Sequence, residues 1–146
     1  MRTVDITRLY RFNAGHRLFH PDEDDAWNRR VFGKCSYESG HGHNYGLEVT
    51  LRGTPDPQTG MVIPIERLDA IVEEHVIEPI DHRNLNAVLE LVDGPAPTTE
   101  VLILELWRRL ARKIPPPARL EKLRVTETEK NSFELEAADL LRGEAT

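Results

Sequence analysis

Three of the six histidines lie where neighbouring strands can bring them together. His41 and His43 are two residues apart at the start of a predicted strand, so their side chains point to the same face. His16 ends an earlier predicted strand, and an antiparallel pairing would place its imidazole beside theirs. Three neutral imidazoles with an open fourth position form a ligand set of catalytic zinc. Metal binding is the favoured interpretation; the alternative is that one or two of them are ordinary hydrogen-bonded histidines.

The single cysteine, Cys35, follows Lys34 and lies six residues before His41. Next to positive charge or a metal ion, its thiol can ionise and act as a base or nucleophile. It could instead be a fourth ligand that closes a structural zinc site. Free cysteines are often small buried apolar residues, and the spacing alone favours that interpretation.

Asp81 and His82 are adjacent and follow a predicted helix. An imidazole that titrates near neutrality beside a carboxylate is suited to acid and base catalysis. Adjacency in the chain does not by itself orient the ring, and aspartate is also a common turn residue. Taken alone, this pair therefore favours a turn.

Glu127 has the same strand parity as Leu123 and Val125, so its carboxylate is expected to point inward. A buried carboxylate needs a partner. Two kinds of partner are equally supported: an arginine or backbone amide of the protein, or a ligand with two donors, such as the N–H and amino edge of a guanine-like ring. Thr98 and Thr99 begin a predicted helix, where an ordinary cap is favoured over a ligand edge.

Four predicted strands and two predicted helices must position these side chains. In chain order they are strands over residues 4–16 and 41–52, helices from Pro64 and from Thr98, and strands over 120–128 and about 132–138. Pro79 is expected to end the first helix, and the prolines at 115–117 the second. Residues 20–34 are charged and irregular, which predicts a loop or a frayed helix. The order indicates an α+β fold with a four-stranded, mainly antiparallel sheet whose open edges favour contact with other subunits.

The chain has 146 residues, with 19 lysines and arginines against 25 aspartates and glutamates, and a formal net charge of −6. This length predicts one domain over residues 1–146 with a core that needs no metal or disulfide. The acidic balance argues against a sequence-independent nucleic-acid binder, which needs basic residues. No apolar run approaches the roughly 20 residues that span a bilayer. With no apolar signal segment at the start of the chain, a cytoplasmic protein is expected.

Seven short segments, in order between residues 12 and 128, resemble the 6-pyruvoyl-tetrahydropterin synthase family. They are FNAGH at 12–16, FGKC at 32–35, GHGHNY at 40–45, TGMV at 59–62, IDHRNLN at 80–86, TTE at 98–100 and VTET at 125–128. Each segment alone is weak, but the ordered set is highly specific and covers most of the chain.

The resemblance implies a role for each candidate residue. Three histidines of the family bind a catalytic zinc ion, and they match His16, His41 and His43. Cys35 matches the general base, and Asp81 and His82 match the pair that completes a proton relay with it. Glu127 matches the glutamate that anchors the pterin ring. Thr98 and Thr99 match the segment of the family that lies along the pterin edge.

The family has the tunnelling fold, in which a four-stranded sheet with two helices on one face joins others into an oligomeric barrel. Two trimers stack as a homohexamer, with active sites between subunits. The implied reaction converts 7,8-dihydroneopterin triphosphate to 6-pyruvoyl-tetrahydropterin and eliminates triphosphate, which makes the enzyme a carbon–oxygen lyase. Magnesium is expected with the triphosphate, and charge alone suggests basic contacts from Lys34, Arg29 and Arg30.

Relatives of the same fold form 6-carboxy-tetrahydropterin or cleave the side chain to a hydroxymethylpterin. Five residues separate Cys35 from His41, which resembles the pyruvoyl-forming type. Two positions depart from the family pattern: Pro64 replaces the usual Asp or Asn, and Val101 with Leu102 replaces a pair that usually contains Asn. An alternative from another class is a non-catalytic, zinc-stabilised oligomer or pterin-binding module.

Overall fold

Five strands form one mixed sheet in the computed structural model, which describes residues 2–144. They are β1 (Val4–His16), β2 (His41–Gly53), β3 (Arg83–Asn84), β4 (Arg119–Thr128) and β5 (Asn131–Glu136). Their order across the sheet is β3-β1-β2-β4-β5. Strand β3 runs parallel to β1, and the other neighbours are antiparallel. The prediction of a four-stranded antiparallel sheet is wrong in this respect, because two residues are too few for β3 to show an alternating pattern.

Six helices accompany the sheet. They are α1 (Asp25–Phe32), α2 (Ile65–Val72), α3 (Glu78–Ile80), α4 (Leu85–Val88), α5 (Thr99–Ala111) and α6 (Ala137–Glu144). Helix α1 lies in the segment predicted as a loop or frayed helix, where the Asp24 carboxylate caps it by accepting from the Trp27 N–H at 2.8 Å. Helix α6 was not predicted. Its first two residues fall in the range predicted as the last strand, which ends at Glu136. Residues 1, 145 and 146 of the predicted domain lie outside the described part.

The first long helical run continues past Pro79 and ends at Ile80, one residue beyond the predicted end. A π-helical turn over Glu73–Ile77 joins α2 to α3. Proline lacks an N–H and its ring collides with the carbonyl four residues earlier in a regular α-helix. The wider turn before Pro79 relieves that conflict, so the chain can remain helical until Ile80.

One hydrophobic cluster lies between the sheet and the long helices. The residues of β2 that point inward are at most 1% exposed, and they are Tyr45, Leu47, Val49 and Leu51. The helices contribute Leu68, Val72, Leu102, Leu106 and Leu110, each fully buried. One face of β2 and one face of α5 therefore form much of the core. No helix within residues 2–144 has both the length and the apolar character needed to span a membrane.

The register between β1 and β2 sets the position of the three histidines. His16 pairs with His41, and Ala14 pairs with His43. Before β2 the chain turns at Gly40, which has a φ of +64°. A Cβ atom there would lie 2.8 Å from the carbonyl oxygen of His16, so this turn requires glycine. The connection over residues 17–40, which contains α1, therefore ends in a tight turn that brings His41 directly opposite His16.

Candidate active site

The expected meeting of the three histidines is confirmed. One ligand nitrogen from each of His16, His41 and His43 lies within 4.8 Å of the other two. The Nε2 atoms of His16 and His41 are 2.9 Å apart. Tetrahedral Zn–N bonds of about 2.0–2.1 Å would place ligand nitrogens roughly 3.3 Å apart. The Nε2 atom of His43 is buried without a hydrogen-bond partner, so the three rings fit a metal ion that would bind it.

The protein also selects which nitrogen of His16 faces the other two rings. Its Nδ1 lies 2.8 Å from the carbonyl oxygen of Pro97. A carbonyl can accept but not donate, so Nδ1 carries the hydrogen and Nε2 keeps a free lone pair. Burial lowers the pKa of His16 and of His43, which favours the neutral form that binds metals. Sequence patterns could not indicate this role of Pro97, because its contribution is a backbone oxygen.

Glu127 lies beside this triad, with its side chain pointing inward as predicted. It occupies a bulge between β4 and β5, where the register shifts between Thr126 and Thr128. One carboxylate oxygen accepts a short hydrogen bond from the Thr99 hydroxyl, and the other lies 3.6 Å from Nε2 of His43. Within residues 2–144 no arginine pairs with Glu127. Thr99 therefore occupies one acceptor site of this carboxylate, and the remaining acceptor sites of its two oxygens are left for a ligand.

Thr98 and Thr99 have different surroundings. The Thr98 hydroxyl accepts from the Val101 N–H at 3.2 Å, so the predicted helix cap is confirmed. Thr99 is 1% exposed and is the one that contacts Glu127. Val101 and Leu102, which depart from the family pattern, are 7% and 0% exposed. They belong to the packed start of α5 rather than to an open pocket wall.

Tyr45 is a part of the site that the sequence analysis did not assign. It is 1% exposed and packs between Phe12 and His43, with ring centroids 5.0 and 5.6 Å away. Its hydroxyl is buried and makes no hydrogen bond of normal geometry, although Thr99 lies close to it. Burial, followed by the charge of Glu127, raises the pKa of this phenol. Tyr45 therefore stays neutral and has a hydrogen available for Glu127 or for a ligand there.

Asp81 and His82 form a hydrogen-bonded pair that is anchored to β1. One oxygen of Asp81 accepts from the backbone N–H of Asn13 at 2.8 Å, and the other lies 2.9 Å from Nδ1 of His82. The backbone N–H of His82 donates to the Asn13 carbonyl at 2.6 Å. The Asn13 N–H, more than the His82 ring, lowers the pKa of Asp81. Asp81 and His82, whose adjacency in the sequence was uninformative, therefore form an oriented carboxylate–imidazole pair.

The His82 ring extends away from this anchor. Its side chain is 74% exposed, and its backbone has a φ of +59°, which is uncommon outside glycine. A cavity of about 370 Å³ is lined by both His82 and His43. The exposed pair and the buried triad therefore border one space.

Cys35 lies in a 3₁₀ turn over Gly33–Ser36 that follows α1. Its carbonyl accepts from the Leu18 N–H at 2.8 Å, and its side chain is half-buried. Among the described residues the thiol makes no hydrogen bond, and Cys35 is not a member of the group of metal-ligand atoms. Within the described part of the chain, Cys35 is therefore not grouped with the three histidines as a fourth metal ligand.

One further cavity adjoins the triad, and a second adjoins that cavity. One of about 410 Å³ is lined by His16, His41 and Arg17, and one of about 560 Å³ is lined by Arg17 and Arg29. Arg17 borders both, so the two spaces are neighbours. Of the three basic residues suggested for a phosphate chain, Arg29 lines a cavity, whereas Lys34 and Arg30 are exposed and line none of the three described here.

Comparison with known proteins gives one consistent family. Residues 5–138 match the family model described as 6-pyruvoyl tetrahydropterin synthase. The chain is 41% identical over 126 residues to the 6-pyruvoyl tetrahydrobiopterin synthase of Poecilia reticulata, covering 86% of this chain and 85% of the relative. It is 38% identical over 128 residues to the human protein of that name, covering 88% of each. The solved Caenorhabditis elegans 6-pyruvoyl tetrahydropterin synthase superposes with a TM-score of 0.85 at 36% identity, over 94% of this chain and 97% of that one.

Proposed function

Because this chain belongs to the 6-pyruvoyl tetrahydropterin synthase family, we propose that it converts 7,8-dihydroneopterin triphosphate to 6-pyruvoyl-tetrahydropterin and triphosphate. It would do so as a zinc-dependent carbon–oxygen lyase, in the cytoplasm and as one domain. The side chain of the substrate is oxidised while its ring passes from dihydro to tetrahydro, so the reaction needs no nicotinamide. Magnesium would accompany the triphosphate, with Arg29 the best-placed of the suggested basic residues.

The observation that carries this proposal is the contact between Glu127 and the histidine triad. The carboxylate lies 3.6 Å from Nε2 of His43 and is held from its other side by Thr99. A pterin ring offers a ring N–H and an amino group, which match the two acceptor positions of a carboxylate. A ring bound to Glu127 would place its side chain next to the three imidazoles, which is the positioning that catalysis needs.

Cys35, Asp81 and His82 would supply the acid and base groups. When zinc is bound by His16, His41 and His43, it supplies Lewis-acid polarisation of the substrate's side-chain hydroxyls. The Cys35 thiolate would remove a proton from the side chain, and the Asp81–His82 pair would return and move protons as triphosphate leaves. The hydrogen bond from Asn13 holds Asp81 ionised and keeps the His82 ring in place for this role.

A homohexamer with active sites between subunits would complete the relay. Among the described residues no hydrogen bond links Cys35 to Asp81 or His82, and the His82 ring is 74% exposed. We propose that this ring meets Cys35 of a neighbouring subunit. The outer strands β3 and β5 leave two open sheet edges, which support contact with further copies.

The direct test is to incubate the zinc-loaded protein with 7,8-dihydroneopterin triphosphate and magnesium and to identify the product by mass. The pyruvoyl product, trapped by reduction, is expected. A carboxypterin with released acetaldehyde, or a hydroxymethylpterin, would assign the chain to another reaction of the same fold. No turnover at full zinc occupancy would favour a binding module.

Two variants separate catalysis from binding. Cys35→Ala is expected to keep its zinc and to lose turnover; loss of zinc with the thiol would support a structural metal site instead. Glu127→Gln is expected to weaken pterin binding while zinc content and assembly stay unchanged, because it alters one acceptor but keeps the side chain's volume. A failure of Glu127→Gln to assemble would identify Glu127 as a structural partner.

A further inference from the structure

We propose that the buried Glu105–Arg109 ion pair of α5 positions a ligand of the metal site, through the loop over residues 89–98 and the carbonyl of Pro97. Glu105 and Arg109 are positioning residues in this role, since neither belongs to the triad. The inference rests on metal binding by the triad, which is one part of the proposed function, and it is independent of the pterin reaction.

Glu105 is a charged residue at the centre of a packed helix face. It is 2% exposed, and one carboxylate oxygen accepts from Nη2 of Arg109 at 2.7 Å and from Nε at 3.1 Å. A buried ion pair is weak evidence for stability, because desolvation offsets much of the attraction. Two apolar residues would pack equally well on this part of α5. The contacts that the pair makes outside the helix therefore indicate its role.

Those contacts go to the backbone at the start of the loop. The second oxygen of Glu105 accepts from the Glu90 N–H at 2.6 Å. Arg109 donates through Nη2 to the carbonyl of Val88 at 3.1 Å. The pair therefore satisfies one backbone donor and one acceptor where the chain leaves α4, and it holds that point of the loop against α5.

The other end of the loop contacts His16. Ala96 and Pro97 are buried, and the Ala96 carbonyl accepts from the Thr98 N–H at 2.9 Å. The next carbonyl, that of Pro97, accepts from Nδ1 of His16 at 2.8 Å. Prolines at positions 95 and 97 restrict the backbone between the two ends. In this proposal, displacement of residues 88–90 shifts the Pro97 carbonyl through the loop.

That carbonyl determines the tautomer of His16. With Pro97 in place, Nδ1 carries the hydrogen and Nε2 faces His41. Without it, the ring is free to rotate or to place its hydrogen on Nε2, and both changes remove a metal ligand. Removing a partner that orients a metal-binding histidine typically lowers metal affinity by about 10–100-fold.

The test is the double variant Glu105→Leu/Arg109→Met, which removes both charges and keeps most of the buried volume. Its zinc dissociation constant, measured by chelator competition, is expected to rise by about 10–100-fold. In the metal-free protein, long-range ¹H–¹⁵N NMR is expected to show that His16 no longer holds its hydrogen on Nδ1. The control is Arg8→Met/Asp69→Asn, which breaks an ion pair that does not touch the loop, and it should match the wild type in both measurements.

An unchanged dissociation constant together with an unchanged His16 tautomer in the folded double variant would overturn the proposal. If that variant does not fold, Glu105→Gln is the second test, because it keeps the acceptor for Glu90 and weakens the hold of Arg109. It is expected to shift both measurements in the same direction by less, and no shift would overturn the proposal. Should the wild type bind no zinc, the proposed function and the metal-binding part of this inference both fail, while the tautomer measurement still decides whether the ion pair positions the His16 ring.

Discussion

The histidine triad and the Asp81–His82 pair place the same type of side chain in opposite surroundings. His16 is 3% exposed, and its two ring nitrogens contact Pro97 and His41 of the same chain. The His82 side chain is 74% exposed, and Nδ1 alone has a partner, the carboxylate of Asp81. The triad is therefore assembled by the fold of one chain, whereas the pair presents a free nitrogen outward.

The backbone under each cluster differs in the same way. The triad lies on two regular strands whose register places its ligands without strain. His82 has a φ of +59°, a conformation that costs free energy for residues other than glycine. The histidine triad is a consequence of sheet pairing, while the Asp81–His82 pair persists because Asn13 hydrogen-bonds both of its residues. The comparison predicts that the two clusters can be disabled separately.

Removing a triad ligand is the largest expected perturbation. In His43→Ala, zinc affinity should fall by roughly two to three orders of magnitude, about a quarter of the 10–16 kcal/mol that four-ligand zinc sites provide. Turnover at limiting zinc should be lost. Chelator competition and a product assay measure the two effects. His75→Ala, a histidine on the π-helical turn, is the matched control and should bind zinc normally; a similar loss in that variant would contradict assignment of the metal to the triad.

Removing the His82 ring should affect the catalytic reaction and leave metal binding unchanged. His82→Ala is expected to reduce kcat by about 10²–10⁴-fold, the usual contribution of a general acid or base. Zinc affinity should equal that of the wild type, because His82 is not one of the triad's ligands. Steady-state kinetics and zinc titration of the same preparation test this pair of outcomes. A parallel loss of zinc and turnover would show that the two clusters are not separable.

The sequence predicted the triad better than the pair, for a physical reason. Alternation on a strand is a local rule, so the common face of His41 and His43 follows directly from their spacing. The orientation of His82 depends on Asn13, 69 residues away, and on a left-handed backbone that no pattern signals. The same distinction explains why the long strands were predicted and the two-residue β3 was not.

Long-range contacts also explain what the sequence left open at Glu127. Its inward direction followed from strand parity, but its partner, Thr99, comes from the start of a different element. Tyr45 lies on β2 next to the residue that pairs with Thr126, so its proximity to Glu127 depends on the pairing of β2 with β4. Packing between elements, rather than the elements themselves, was the missing information.

The two clusters should also destabilise the metal-free protein in different pH ranges. The pKa values of His16 and His43 are lowered from 6.5, so the unfolded state binds protons first as the pH falls below 6.5. The free energy of unfolding should be level above that point and decrease below it, by at most about 1.4 kcal/mol per pH unit and group. The pKa of Asp81 is lowered from 3.8, so its contribution to stability is lost as the pH falls below 3.8.

Urea unfolding in a chelator at a series of pH values separates these ranges. His43→Gln should flatten the decrease below pH 6.5, and Asp81→Asn should leave that decrease unchanged and reduce the one below pH 3.8. Part of the decrease in the free energy of unfolding below pH 3.8 should remain in Asp81→Asn, because Asp5 and Asp69 have lowered pKa values as well. If the free energy of unfolding decreases with the same slope in both variants between pH 7 and 5, the assignment of the upper pH range to the triad is contradicted.

The smallest predicted effect concerns the strain at His82. Asn adopts the left-handed backbone region more readily than most residues, so His82→Asn should leave the free energy of unfolding unchanged or raise it by up to about 1 kcal/mol. Any gain arises because the substitution relieves strain, and the hydrogen bond that it removes is exposed. Urea unfolding at neutral pH measures the change, and kcat should fall as in His82→Ala. An exposed ion pair usually contributes at most about 1 kcal/mol to stability. A larger destabilisation would mean that the His82 ring has a structural role.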